Sequence, residues 1–134
     1  KSSILKNEFD NIELFNEFVG NKNTPTVKTV DSLIYGHCKK IDMIKIDTDG
    51  TDFECLEGCE QIIKEFDPII VIEINNNFNQ IVEYLLKSRY KFFYDQHLRE
   101  IDITSKNMMP NLFCSRNNFT CKFSIKSFNF FDIF

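Results

Sequence analysis

The 134-residue chain contains no alanine and no tryptophan, and it holds only four glycines and three prolines. The missing alanine, set against fifteen phenylalanines and abundant Ile, Asn and Lys, is the bias an AT-rich coding sequence produces. It carries no functional message. The glycines stand apart at Gly20, Gly36, Gly50 and Gly58, so no Gly-x-Gly turn occurs. That removes the close backbone cradle which such turns build around a ligand. No apolar run approaches the ~20 residues of a membrane-spanning helix, and the N-terminus does not resemble a signal peptide. The cysteines, Cys38, Cys55, Cys59, Cys114 and Cys121, are odd in number and form no Cys-x-x-Cys pair. A secreted disulfide framework is therefore not expected, and a reducing, cytoplasmic location is. Sixteen basic against twenty acidic residues give a net charge of −4, which argues against nucleic-acid binding. The first residue is Lys1, so a longer protein is expected.

What is present reads as one α/β domain. Asn11 to Val19 alternates apolar and polar residues like a strand, and Gly20 to Pro25 reads as a turn. Val27 to Val30 reads as a short strand. Val30, Leu33, Ile34, His37 and Cys38 then follow the spacing of an amphipathic helix. Asp42 to Ile46 is a strand feeding Asp47-Thr48-Asp49-Gly50. A helix starts at Thr51 or Asp52, with Phe53, Leu56, Cys59, Ile63 and Phe66 as its stripe, and Pro68 stops it. Ile69-Ile70-Val71-Ile72 is a β-branched run typical of a strand buried on both faces. Phe78, Ile81, Val82, Leu85 and Leu86 mark another helix, and 91–94 and 111–114 two more strands. The order β–α–β–α–β–α–β–β implies an open, doubly wound sheet.

In such sheets ligands bind beyond the carboxyl ends of the strands. Asp47 and Asp49 follow one strand and Glu73 the next, so the three are expected to cluster. The cluster can hold a divalent cation through oxygen ligands or supply a general base, and no metal is assigned to it. Against this stands the plain reading of Asp49-Gly50 as turn chemistry and Asp52 as a helix-start residue. An EF-hand loop is excluded, because its twelfth position falls on Gly58. A zinc site from Cys55, Cys59, His37 and Cys38 lacks the usual ligand spacing, and buried thiols are the ordinary alternative. Asn118-Phe119-Thr120 matches a glycosylation sequon, in a compartment that does not suit it.

The stretch from Asp42 to Gly58, read as D-x-I-K-I-D-x-D-G-x-D-x-x-x-L-x-G, resembles the hallmark of the FkbM-type methyltransferases. Thr29-Val30-Asp31-Ser32-Leu33 and Pro68 to Ile74 resemble its flanking motifs. Asp49 and Asp52 stand where that family usually has Glu, and Arg89 where it often has Gly. The resemblance implies a Rossmann-like class I methyltransferase sheet of three α/β/α layers, incomplete because the first strands are lacking. Residues 1–114 would form the partial domain, with its motif core at 29–74, and 115–134 a Phe-rich extension. It further implies S-adenosylmethionine as methyl donor and a hydroxyl of a sugar or small metabolite as acceptor. Asp47 would be base or positioning group, Asp49 its partner and Glu73 an acceptor contact. Val19, Gly20 and Asp47 would touch the cofactor.

The strand ending at Asp47 would by this analogy be left as an exposed edge. Rearranged strands, a missing chain segment or a second copy in a homo-oligomer are expected to cover it. The alternative function is a non-catalytic relic or interaction module that keeps the second half of the fold. For the tail, an extra hairpin or dimer contact is expected over nucleic-acid or membrane binding, since its cations are sparse.

Overall fold

The computed structural model describes residues 11–104, 110–118 and 130–133. It is a mixed α/β fold built on a five-stranded mixed sheet in the order β5-β6-β4-β3-β7. The strands are β3 (Met43–Ile46), β4 (Ile69–Glu73), β5 (Phe92–Tyr94), β6 (Asn111–Ser115) and β7 (Phe130–Ile133). A separate two-stranded parallel ribbon joins β1 (Phe18–Val19) to β2 (Val27–Lys28). Four helices accompany them among the described residues: α1 (Val30–Ile34), α2 (Asp52–Glu57), α3 (Glu60–Phe66) and α4 (Phe78–Lys87).

β3 runs parallel to both β4 and β7, whereas β6 is antiparallel to β4 and to β5. The β-branched run of β4 is buried through Ile70, Val71 and Ile72 as its composition predicts, but its two neighbours run in opposite senses. The core gathers Ile44, Ile46, Ile70, Ile72 and Leu112 from the strands with Leu56, Ile62, Ile81 and Leu85 from the helices. Each such side chain contributes roughly 1.5–3 kcal/mol through burial. At the base of β4, the Tyr90 hydroxyl donates to the Pro68 carbonyl at 2.6 Å. The Arg116 guanidinium sits 5.3 Å above the Tyr90 ring and donates to the Ser88 and Ile63 carbonyls.

Several expectations are corrected. The strand predicted over Asn11 to Val19 shrinks to Phe18–Val19. Its alternating side chains have no sheet to bury against, and Ile12, Leu14, Phe15 and Phe18 remain exposed. The helix predicted to reach Cys38 ends at Ile34, because Tyr35 turns extended and Gly36 takes a left-handed φ of 84°. The single helix predicted from residue 51 or 52 to Phe66 is two helices, broken at Gly58-Cys59. The break is a packing event. A Cβ on Gly58 would stand 2.2 Å from the Gly20 carbonyl oxygen, and the Gly58 carbonyl accepts from the Asp31 amide at 2.9 Å. Within the described part of the tail, β7 pairs parallel with β3, so the β3 edge is covered by the same chain. The remaining tail expectations, Cys121 and most of the sequon with it, lie outside the described residues.

Candidate functional site

β3, β4 and β7 are parallel, so their carboxyl ends open on one edge of the sheet. The register pairs Ile46 with Ile72 on one side and with Ile133 on the other. Carried one residue further, it sets Asp47 beside Glu73, and paired residues on neighbouring strands share a face. Asp49 completes the group from the following turn. Carboxylate oxygens of Asp47, Asp49 and Glu73 all lie within 4.8 Å of one another, with Asp47 and Glu73 half-buried and Asp49 exposed. The structure therefore brings together the three carboxylates singled out in the sequence.

The turn carrying Asp49 is held by Asp52, the helix-start acid that stands where the family usually has Glu. Asp52 is buried, and its Oδ1 accepts from the Thr48 amide at 2.8 Å and the Thr48 hydroxyl at 3.1 Å. Its Oδ2 accepts from the Gly50 amide and from the Asn75 side-chain amide, both at 3.2 Å. Within this clasp Asp49 and Gly50 adopt left-handed φ values of 49° and 111°, a backbone that Asp tolerates and Gly prefers. Asn75 also lies 3.5 Å from Glu73 Oε2, so the two carboxylate-bearing turns share one clasp. The i, i+4 spacing of Thr48 and Asp52 was visible in the sequence; the reach from Asn75 was not.

Three like charges at this distance repel. In a partly solvated site two unit charges ~4 Å apart interact by up to ~4 kcal/mol. Lys45 supplies the opposing charge, its Nζ donating to Asp47 Oδ2 at 2.9 Å and lying 3.4 Å from Asp132 Oδ1. The hydrogen bond to Asp47 and the charges of Asp132 and Asp47 hold the ammonium above the ordinary lysine range, against the opposing pull of burial. Lys45 is thus the counter-charge of the site. The donor set is all oxygen, of the kind that accepts a proton or holds a hard cation.

Val19 and Gly20 lie elsewhere. The Gly20 carbonyl packs on Gly58, beyond the C-terminal end of α2, whereas Asp52 and the carboxylates stand at its N-terminal end. Six helical residues, about 9 Å, separate the two ends. The motif residues around Asp31 have a structural role. Thr29 caps α1 by accepting from the Ser32 amide at 3.1 Å, and Asp31 accepts from the Gln61 and Ile62 amides that open α3. Cys55 and Cys59 are buried in the core, where burial pushes the Cys55 thiol up to about 12 and the Cys59 thiol well up. The only group of three or more ligating side chains among the described residues is the carboxylate trio.

With this geometry in place, the comparison with known families is decisive: residues 3–94 match the methyltransferase FkbM domain. The chain belongs to the FkbM methyltransferase family. The matched span holds Val19, Gly20, Asp47, Asp49, Asp52 and Glu73, and it ends before β6 and β7. Comparisons with curated proteins and with solved structures give no match. No helix among the described residues is long and apolar enough to cross a membrane.

Proposed function

We propose that this FkbM-family chain supplies the acceptor side of an S-adenosylmethionine-dependent O-methyltransferase, acting on a hydroxyl of a sugar or small metabolite. The observation that carries this reading is the convergence of Asp47, Asp49 and Glu73 at the carboxyl ends of two adjacent parallel strands. The carboxylate of Asp47, set by Lys45, accepts the hydrogen bond of the acceptor hydroxyl and takes its proton as the oxygen becomes nucleophilic. Asp49 and Glu73 accept from neighbouring hydroxyls and orient the acceptor. A positioned base of this kind contributes typically ~10²–10⁴-fold, and correct alignment up to ~7–11 kcal/mol. Rossmann-like α/β/α layering and a cytoplasmic location belong to the same reading.

The donor side does not fit the described residues. No Gly-x-Gly turn exists in the chain, and the strand flanking β3 opposite β4 is β7, whose Ile133 carbonyl accepts from the Asp47 amide at 2.9 Å. That same observation favours the second reading, a non-catalytic interaction module that retains the acceptor half of the fold.

Calorimetric titration of the chain with S-adenosylmethionine separates the two, alongside radiolabelled methyl transfer to a panel of hydroxyl-bearing sugars. Saturable heat and labelled product support the methyltransferase. Absence of both, with the fold intact by circular dichroism, supports the interaction module.

A further inference from the structure

The residues nearest Asp47 are not all within the family match. Lys45 is register partner to Asp132 on β7, and Asp47 lies two residues beyond Lys45 on the same strand face. Alternation along β3 turns Ile44 and Ile46 into the core and leaves Lys45 and Asp47 on the more open face. Cross-strand pairing therefore delivers the Asp132 carboxylate to the flank of the Lys45 ammonium, and the structure places it there at 3.4 Å. One register step further, the Ile133 carbonyl accepts from the Asp47 amide at 2.9 Å. β7 thus grips Asp47 twice, once by its backbone and once through Lys45.

We propose that the C-terminal strand β7 is a working part of the carboxylate site, with Asp132 a positioning residue for Asp47. The inference rests on the reading of Asp47 as the acceptor base. An ammonium has three donors and no acceptor, so Lys45 serves both carboxylates at once. With Asp132 as a second anchor the ammonium is held against the sheet face, and the Asp47 carboxylate it contacts is held with it. Removing that anchor leaves a single half-exposed ion pair, which samples several geometries. The Ile133 contact acts differently: it ties the last residue of β3 before the turn, so the turn begins from a fixed point. On this view the tail decides how Asp47 is presented, and loss of β7 from the β3 edge loosens the site without touching its three carboxylates.

The test is nuclear magnetic resonance of the isotope-labelled chain, which needs neither donor nor acceptor. In Asp132→Asn the Lys45 Hζ/Nζ signals are expected to shift, and the three-bond couplings that report Asp47 χ1 to move toward rotamer averaging. Asp132→Glu is expected to restore both. Deletion of residues 130–134 is expected to speed exchange of the Asp47 amide at least tenfold while the β4 and β6 amides keep their dispersion. Unchanged Asp47 couplings in Asp132→Asn overturn the proposal, as does an unchanged Asp47 exchange rate in the deletion. If the deletion unfolds the chain, the Asp132→Asn and Asp132→Glu pair decides alone. Failure to detect methyl transfer would count against the acceptor-base reading and leave these couplings unaffected.

Discussion

The side-chain amide of Asn75 donates to the buried carboxylate of Asp52 at 3.2 Å, tying the turn after β4 to the turn after β3. Asp52 satisfies four donors with two oxygens, so removing it takes from the Thr48 and Gly50 amides this acceptor and unties Asn75 from the turn after β3. Asp52→Ala is expected to destabilise the chain by roughly 1–3 kcal/mol, the cost of unmade buried hydrogen bonds. The midpoint of urea unfolding measures it. A midpoint equal to that of the parent chain would show that the clasp contributes nothing.

Asp47 stands in a different energetic setting, with its side chain 41% exposed and one ion-pair partner. Asp47→Asn is therefore expected to change stability by at most ~1 kcal/mol. If Asp47 is the acceptor base proposed above, methyl transfer is expected to fall by ~10²–10⁴-fold in this variant. Thermal melts and initial rates on the same preparation check both halves.

The helix break between α2 and α3 makes a steric prediction. Gly58→Ala drives a methyl group against the Gly20 carbonyl, and overpacking of this kind costs typically ~1–3 kcal/mol. Gly36→Ala meets nothing within 4 Å but keeps a left-handed φ, so its cost is the conformational ~1–2 kcal/mol. Only the first substitution should perturb the amide resonances around Gly20.

Thiol reactivity should follow burial. Cys55, Cys59 and Cys114 are buried with their thiol pKa values pushed up, whereas Cys38 is half-buried. In a Cys121→Ser background, a disulfide reagent at neutral pH is expected to modify Cys38 in the native chain. The other three should react only in denaturant. Rapid native labelling of Cys55 would contradict the core placement.

Asp95 contributes to acid stability. The backbone amide of Arg99 holds the Asp95 carboxylate down to about 2, aided by the Arg99 side chain and the His97 amide, with burial opposing. A lowered folded pKa means that the native state favours the charged form. The stabilisation is complete above the ordinary value of 3.8 and is lost as pH falls toward about 2. Asp95→Asn should therefore flatten the decline of melting temperature across that window. An unchanged slope would place the acid sensitivity elsewhere.

Local chemistry was enough to determine much of this protein. The β-branched run at 69–72, the Pro68 stop, the apolar spacing of α4 and the Asp-x-Asp-Gly turn each act over a few residues. Their elements fall where the spacing puts them, with Asp47, Asp49 and Glu73 at strand ends. Adjacent parallel strands joined by a helical crossover then leave those carboxylates few places to go but together.

Only the tertiary structure decided the rest. No periodicity announces that Gly20 will press on Gly58 and divide a helix, because the contact joins residues far apart in the chain. The same holds for Asp31, which caps a helix opening near Gln61, and for Asn75, which reaches back to Asp52. The family resemblance left the β3 edge bare and the tail without a role. Parallel pairing of β7 covers that edge and brings Asp132 to Lys45 across 87 residues of sequence, a juxtaposition that strand register alone creates.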